Sequence, residues 1–190
     1  MPPITLGTRT RNIPEERYAE SVAAGAIIHP AGRGRHRAAA VTAGQRFFED
    51  FALGDRFASP GKTLTDAHFL FFAGLTGDAH PIHYDDEYAK STRFGRRLAH
   101  GLMLTSLTAV GASTLAPLIE ASIVAFVEQT SRFLAPVFVG DTVKPEHEVV
   151  ALERKRSAGL VTLRVTLTNQ RGELVLDGQH KYLIAYRPTT

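Results

Sequence analysis

The strongest constraint on the fold is the alternation of apolar and polar side chains in residues 160–169. Leu163, Val165 and Leu167 alternate with threonine and arginine residues, and a period of two is typical of a half-buried antiparallel strand. Three stretches of similar character lie nearby, at residues 121–134, 142–154 and 174–186. Because short Gly-containing turns separate these stretches, we predict four consecutive long strands arranged as a meander.

An apolar segment, HGLMLTSLTAVGASTLAPLIE at residues 100–120, precedes these strands. Its side chains are apolar on nearly every side, which indicates a helix buried by surrounding sheet. The chain has 190 residues, of which 44% are apolar, and this is enough for one domain with its own core. We therefore predict an α+β fold in which a curled antiparallel β-sheet wraps a long central helix.

The first 44 residues differ from the rest in composition. They contain two proline-marked breaks, at Pro14 and Pro30, a low-complexity Ala/Gly/Arg run, and the whole of the formal charge of +3. We predict that residues 1–44 are an N-terminal extension and linker, and that residues 45–190 form the folded domain. Since the body of the chain is neutral, the composition gives little support to nucleic-acid binding.

The composition also bears on the compartment. The sequence contains no cysteine, so it offers neither disulfides nor a thiolate nucleophile nor a Cys-based zinc site. No segment approaches the roughly 20 apolar residues that cross a bilayer, and the N-terminus lacks the apolar stretch of a signal peptide. We expect a soluble, cytoplasmic protein with no membrane partner.

The residues best suited to chemistry lie in the loop DAHPIHY, residues 78–84. A short helix is predicted before it, with Thr65 as N-cap and an end near Gly77, and Pro81 excludes regular helix from the loop itself. A carboxylate at Asp78 and an imidazole at His83 could together orient one water molecule and accept its proton. From spacing alone, the structural alternative is strong, in which Asp78 is a turn or cap residue and His83 is a loop histidine with its hydrogen bonds satisfied.

The segment GLTGDAHPIHYDDEYAKSTRFGRRLAHGLMLTSL closely resembles the signature of MaoC-like dehydratases and (R)-specific enoyl-CoA hydratases. The resemblance extends over about residues 45–187 and includes FEDFALGDRF and PVFVGDTV. It implies a hot-dog fold, usually a homodimer or a larger assembly of dimers, that acts on an acyl-CoA thioester. It also implies that Asp78 and His83 are catalytic and that the Gly101 backbone N–H binds the thioester oxygen.

The position of Gly101 fits this role independently, because it lies at the predicted start of the buried helix, where N–H groups lack helical partners. The alternative is that Gly101 only permits close packing of helix on sheet. We expect the flanking residues and a basic cluster to contact substrate, the cluster through the phosphates of coenzyme A. These residues are His80, Pro81, Ile82, His100, Leu102, Arg93, Arg96 and Arg97.

Two positions depart from the family pattern. His80 stands where these enzymes commonly carry asparagine, and Ala109 stands where some relatives place a serine. Neither change removes the acid–base pair. Both changes bear on the details of the site and the substrate, and not on the class of reaction.

Other functions are weaker alternatives. A metal site at His80-x-x-His83 with Asp85 and Asp86 lacks the one-face helical presentation of a zinc motif, so we predict no metal and no cofactor beyond the coenzyme A of the substrate. A hot-dog thioesterase often has a carboxylate on the long helix, and residues 101–117 contain none. A non-catalytic acyl-CoA-binding subunit would not need paired proton acceptors.

Overall fold

The computed structural model describes residues 44–189, so the extension predicted for residues 1–44 lies almost wholly outside the described part. The described chain contains the following strands: β1 (Arg56–Ala58), β2 (Lys62–Thr63), β3 (Ile123–Phe133), β4 (Thr142–Arg154), β5 (Gly159–Asn169) and β6 (Leu174–Ile184). Its α-helices are α1 (Asp66–Thr76), α2 (Asp86–Ser91), α3 (Gly101–Ser106) and α4 (Ala116–Ile119). Short 3₁₀ turns occupy Phe48–Asp50, Pro81–His83 and Val110–Ala112. No helix within residues 44–189 is both long and apolar enough to cross a membrane.

The strands form one antiparallel sheet in the order β1-β4-β5-β6-β3, with β2 also paired to β4. The predicted alternation in β5 is confirmed, since Leu163, Val165 and Leu167 are completely buried while Arg164 between them is exposed. Strands β4, β5 and β6 are neighbours in sequence and in the sheet. This part of the predicted meander is therefore correct.

The position of β3 in the meander was predicted wrongly. This strand pairs with β6, at the opposite edge of the sheet from the place that a simple meander would give it. The reason lies in residues 134–141, which do not form a hairpin but pair with the segment before α3: the Ala99 N–H donates to the Val137 carbonyl, and Leu98 bridges Phe138. The chain thereby crosses from one edge of the sheet toward the other before β4 begins.

The structure also corrects the prediction of one long central helix. Residues 100–120 form α3, a 3₁₀ turn and α4 in succession. Hydroxyl side chains compete with helical hydrogen bonding here. Thr108 Oγ1 donates to the Thr105 carbonyl, and the Thr108 carbonyl in turn accepts from His147 Nε2 at 2.9 Å. Pro117 near the start of α4 lacks the N–H that would continue the preceding helix.

The predicted α+β arrangement is confirmed, since the helical segments pack on the inward face of the sheet. Beneath the candidate site, Phe69 of α1 and Met103 of α3 lie in one core cluster with Leu167 and Val175 of the sheet, all at most 3% exposed. Full burial of each such side chain contributes about 1.5–3 kcal/mol. This core fixes α1 and α3 beside one another, and the loop between them carries the site.

Candidate active site

Helix α1 leads directly into the loop that carries the candidate site. Thr65 is its N-cap, as predicted, and the helix ends at Gly77, which has φ +74°. This left-handed conformation is favourable for glycine and reverses the chain direction. Asp78 is therefore the first residue of the loop, immediately after a well-defined helix end.

The loop continues as a 3₁₀ turn at Pro81–His83, in agreement with the expectation that Pro81 excludes regular helix. His80 is the N-cap of this turn, and its Nδ1 accepts a hydrogen bond from the Ile82 N–H at 3.2 Å. The turn is held to the segment before α3 because the Leu98 N–H donates to the Ile82 carbonyl. Asp85 then caps α2 through the Glu87 and Tyr88 N–H groups.

The side chains of Asp78 and His83 lie close together. A carboxylate oxygen of Asp78 and a ring nitrogen of His83 lie within 4.8 Å. Two hydrogen bonds of about 2.8 Å that meet at a tetrahedral water span about 4.6 Å, so this separation fits one bridging water molecule. Asp78 is exposed and His83 is half-buried, which leaves the pair open to a substrate.

The protonation of His83 follows from its contacts. Its Nδ1 lies 2.6 Å from the Leu98 carbonyl oxygen, and a carbonyl only accepts hydrogen bonds, so Nδ1 carries the proton. The neutral ring then has its lone pair on Nε2, the nitrogen that can take a proton from water. The Leu98 carbonyl thus fixes the tautomer that a general base requires.

His100 lies directly against His83. The two rings are stacked with centroids 3.7 Å apart and an angle of 22° between their planes. His100 is only 2% exposed, and its pKa is lowered by burial and further by the neighbouring His83. His100 is therefore a buried neutral ring that stacks on His83, and it has little exposed surface for the predicted contact with substrate.

Tyr84 also belongs to the candidate site. The sequence placed it in the loop at residues 78–84 but indicated no role for it. Its Oη lies 2.7 Å from His100 Nε2, 3.0 Å from the Asp78 carbonyl and 3.1 Å from the Phe69 carbonyl. Burial raises its pKa, and the negative charge of Asp78 adds to this effect. One hydroxyl thus connects α1, the Asp78 loop and the start of α3.

Gly101 is the first residue of α3, and the first helical hydrogen bond there is from the Leu104 N–H to the His100 carbonyl. The N–H of Gly101 is thus one of the amides without a helical acceptor. A Cβ on Gly101 would lie 2.9 Å from ring atoms of Phe133, so a side chain here would displace that ring. The packing explanation for this glycine and the proposed amide role are compatible.

The other predicted substrate contacts are spread around the site. Pro81 is exposed, Ile82 is half-buried and Leu102 is 69% exposed. The basic residues are arranged unequally. Arg97 binds Asp66 and Asp86 at 2.7 and 2.8 Å and is largely buried.

Arg93 and Arg96 have more freedom than Arg97. The Arg96 guanidinium stacks 4.0 Å above the Phe138 ring and lies 4.0 Å from Asp141. Arg93 is exposed beside the Phe94 ring. Of the three arginines predicted to contact phosphate, Arg93 and Arg96 therefore remain exposed enough to bind an anionic group.

Asp78, His83 and His100 also form the one group within residues 44–189 whose potential metal-ligand atoms converge, all within 4.8 Å. An ion bound by both imidazoles would have to lie in both ring planes. Here the ring planes make an angle of only 22° and the centroids are 3.7 Å apart, so the two planes do not meet near the rings. The donor set therefore fits proton transfer better than metal binding, and the earlier alternative with Asp85 and Asp86 is not assembled, since these residues cap α2 and bind Arg97.

Comparison with known proteins shows which family the chain resembles. The chain is similar to an (R)-specific enoyl-CoA hydratase from Rhodospirillum rubrum, with 33% identity over 141 residues that cover 74% of this chain and 93% of that protein. It is also similar to a monoamine oxidase regulatory protein from Archaeoglobus fulgius of known crystal structure. That structure gives a TM-score of 0.71 at 35% identity and covers 76% of this chain and 97% of its own.

A third similarity identifies the fold. A Mycobacterium tuberculosis protein described as a double hot-dog fold aligns with a TM-score of 0.65 at 29% identity, over 77% of this chain and 46% of that one. The predicted hot-dog fold is thereby confirmed. A family model described as MaoC like domain matches residues 50–171, and the chain therefore belongs to the MaoC-like domain family.

Proposed function

We propose that this protein catalyses the reversible hydration of trans-2-enoyl thioesters, with enoyl-CoA as the expected form, to (R)-3-hydroxyacyl thioesters. The observation that carries the proposal is the pair of Asp78 and His83, held within 4.8 Å of one another with Nε2 of His83 left as a proton acceptor. The R. rubrum relative, an (R)-specific enoyl-CoA hydratase, supports both the reaction and the stereochemistry.

The proposed reaction begins with the substrate carbonyl oxygen on the Gly101 N–H. This hydrogen bond stabilises the negative charge that develops on the oxygen, and one such donor is typically worth about 3 kcal/mol. Polarisation makes the β-carbon electrophilic. A water held between Asp78 and His83 then attacks the β-carbon and gives its proton to His83 Nε2.

Addition is completed when the His83 imidazolium returns this proton to the α-carbon, so that hydrogen and hydroxyl add across the double bond. Dehydration follows the same path in reverse. Asp78 orients the water and stabilises the imidazolium that forms on His83. Because α3 has six residues, the individual Gly101 amide contributes more to this site than a helix dipole does.

The two alternative functions make different predictions. A thioesterase would release free thiol from the same substrates, and a non-catalytic acyl-CoA-binding subunit would leave them unchanged. Crotonyl-CoA separates all three, because a hydratase removes the enoyl absorbance without releasing thiol. The same assay with crotonyl-acyl-carrier-protein decides between the two thioester carriers.

The first prediction concerns the catalytic pair. Asp78→Asn and His83→Ala are each expected to lower kcat for crotonyl-CoA hydration by at least 100-fold, since general acid–base groups typically contribute 10²- to 10⁴-fold. His68→Ala is the matched control, because its ring binds Thr65 at the start of α1 and stands outside the proposed chemistry. Unchanged turnover in both catalytic variants would refute the assignment.

We further propose that the protein is a homodimer, with no cofactor other than the coenzyme A of its substrate. Strand β3 lies at an edge of the sheet, and its Ile123, Val124 and Phe126 side chains are 38–47% exposed. An exposed apolar edge strand favours pairing with a second copy. The cytoplasmic location stays a prediction.

A further inference from the structure

We propose that Tyr84 and His100 are positioning residues that hold the catalytic pair in register, with His100 acting through Nε2 as a hydrogen-bond donor. This inference rests on the proposed function. It goes beyond it because neither residue has to touch the reacting atoms. The pair contacts both halves of the site, the backbone of Asp78 through hydrogen bonds and the ring of His83 through stacking.

The first step in the argument is the tautomer of His100. Its Nε2 lies 3.2 Å from the Asp78 carbonyl oxygen and 2.7 Å from Tyr84 Oη, whereas its Nδ1 is buried and has no partner among residues 44–189. If Nδ1 carried the proton, a buried N–H donor would be unpaired and the Nε2 lone pair would face a carbonyl lone pair. A proton on Nε2 avoids both costs, and an unpartnered lone pair is the cheaper defect.

The second step is the direction of the Tyr84 hydrogen bond. Since His100 Nε2 donates, the Tyr84 hydroxyl accepts this hydrogen bond. It then donates its own proton to either the Phe69 carbonyl at 3.1 Å or the Asp78 carbonyl at 3.0 Å. The Asp78 carbonyl therefore has two donors within hydrogen-bond distance, His100 Nε2 and Tyr84 Oη. The Asp78 carboxylate is further restrained by the His80 N–H at 3.4 Å.

The third step concerns charge. His83 becomes a cation when it takes the proton of water, and a second cation stacked 3.7 Å away would oppose that step. A neutral His100 removes the conflict. The two stacked rings thus carry opposite tautomers, with Nδ1–H on His83 fixed by Leu98 and Nε2–H on His100 fixed by Asp78 and Tyr84.

The decisive experiment compares two substitutions of similar size at His100. His100→Gln places an amide N–H near the position of Nε2, and His100→Asn places it near the partnerless Nδ1. We expect His100→Gln to keep kcat for crotonyl-CoA within about tenfold of wild type and His100→Asn to lose about 100-fold, the scale of a 1 Å misplacement. Equal kcat values for the two variants would overturn the inference, because only the glutamine amide is placed to donate to the Tyr84 and Asp78 oxygens.

Tyr84→Phe supplies an independent arm. It removes the hydroxyl but keeps the ring, so we expect kcat to fall about tenfold while KM changes less than twofold. Tyr186→Phe is the matched control, since it removes a hydroxyl that donates to the Lys155 carbonyl and should leave kcat unchanged. A Tyr84→Phe enzyme with wild-type kcat would overturn the positioning role.

Imidazole ¹⁵N spectra of the wild-type protein test the inference without any assay of activity. We expect the Nδ1–H form at His83 and the Nε2–H form at His100 near neutral pH. An Nδ1–H form at His100 would overturn the proposal even if every His100 variant failed to fold. Failure of the wild type to hydrate crotonyl-CoA would refute the proposed function, while these spectra would still decide the hydrogen-bonding arrangement.

Discussion

His80 caps the turn at Pro81–His83 with an imidazole nitrogen in place of an amide oxygen. The resemblance places asparagine at this position, and the imidazole Nδ1 accepts the Ile82 N–H as an asparagine oxygen would at an N-cap. The ring also contacts the Tyr88 ring edge-to-face, with centroids 5.7 Å apart. The substitution therefore keeps the turn that presents His83.

The corresponding prediction compares two variants. His80→Asn retains the acceptor, so we expect kcat to stay within about twofold of wild type. His80→Ala removes a cap worth about 1 kcal/mol, and kcat should fall by roughly fivefold as the turn loosens. Steady-state kinetics with crotonyl-CoA check both, and an alanine variant as active as the asparagine variant would contradict the capping role.

At the residue scale, the sequence pointed to the candidate catalytic residues but not to the contacts that hold them in place. Asp78, His83 and Gly101 belong to a motif that a reader can recognise, and the structure brings Asp78 and His83 together. Tyr84 and His100 are 16 positions apart and meet only because α1, the loop and α3 share one core. No periodicity or spacing signals such a contact; the only available sign was that His100 adjoins Gly101.

At the scale of elements, Arg97 links the N-terminal turns of two helices. It binds Asp66 in the first turn of α1 and Asp86 in the first turn of α2, and these contacts raise its pKa although burial alone would lower it. Both helices flank the loop that carries Asp78. The role of Arg97 that the structure supports is therefore to fix the two helices, whereas the sequence suggested a phosphate contact.

We predict that Arg97→Met destabilises the protein by roughly 1–2 kcal/mol, since it leaves two carboxylates without their shared partner. Arg93→Met is the control and should change stability by less than about 0.5 kcal/mol. Urea unfolding measures both effects. If Arg97→Met were as stable as wild type but raised KM for crotonyl-CoA, the phosphate role would be the correct one.

The elements that the sequence predicted well are those with local signals. The N-caps of α1 and α2 and the alternation in β5 follow from short-range rules, and all three are present. The edge position of β3 and the broken helix depend on contacts between distant segments. Ala99 with Val137, and His147 with Thr108, are such contacts, and they override apolar composition.

At the scale of the whole molecule, the exposed edge of β3 predicts the assembly. Val124→Lys places a charge on this edge, and we expect it to convert a dimer into monomers. Val150→Lys on β4 is the matched control, because the two valines are 38% and 39% exposed. Sedimentation velocity distinguishes the states; a wild-type monomer, or a dimer that persists in Val124→Lys, would contradict pairing through β3.

The interior also determines how the fold responds to acid. His180 and His147 are buried between the sheet and the segment after α3, and burial lowers the pKa of both, that of His180 to about 4. Above about pH 6.5, His180 is neutral in both the folded and the unfolded chain. Folding then does not change the number of protons bound to His180. As the pH falls toward 4, His180 binds a proton in the unfolded chain but not in the folded chain. The free energy of unfolding therefore decreases.

Between pH 7 and pH 4.5, His180 alone should remove about 2 kcal/mol from the free energy of unfolding, because each unit of pKa shift corresponds to about 1.4 kcal/mol. His180→Gln cannot titrate, yet its amide can still meet Thr108, whose hydroxyl lies 3.1 Å from His180 Nε2. We therefore expect the variant to lose about 2 kcal/mol less than wild type over this interval, as measured by urea unfolding at both pH values. Equal losses in the two proteins would show that His180 takes up its proton in the folded state as readily as in the unfolded one.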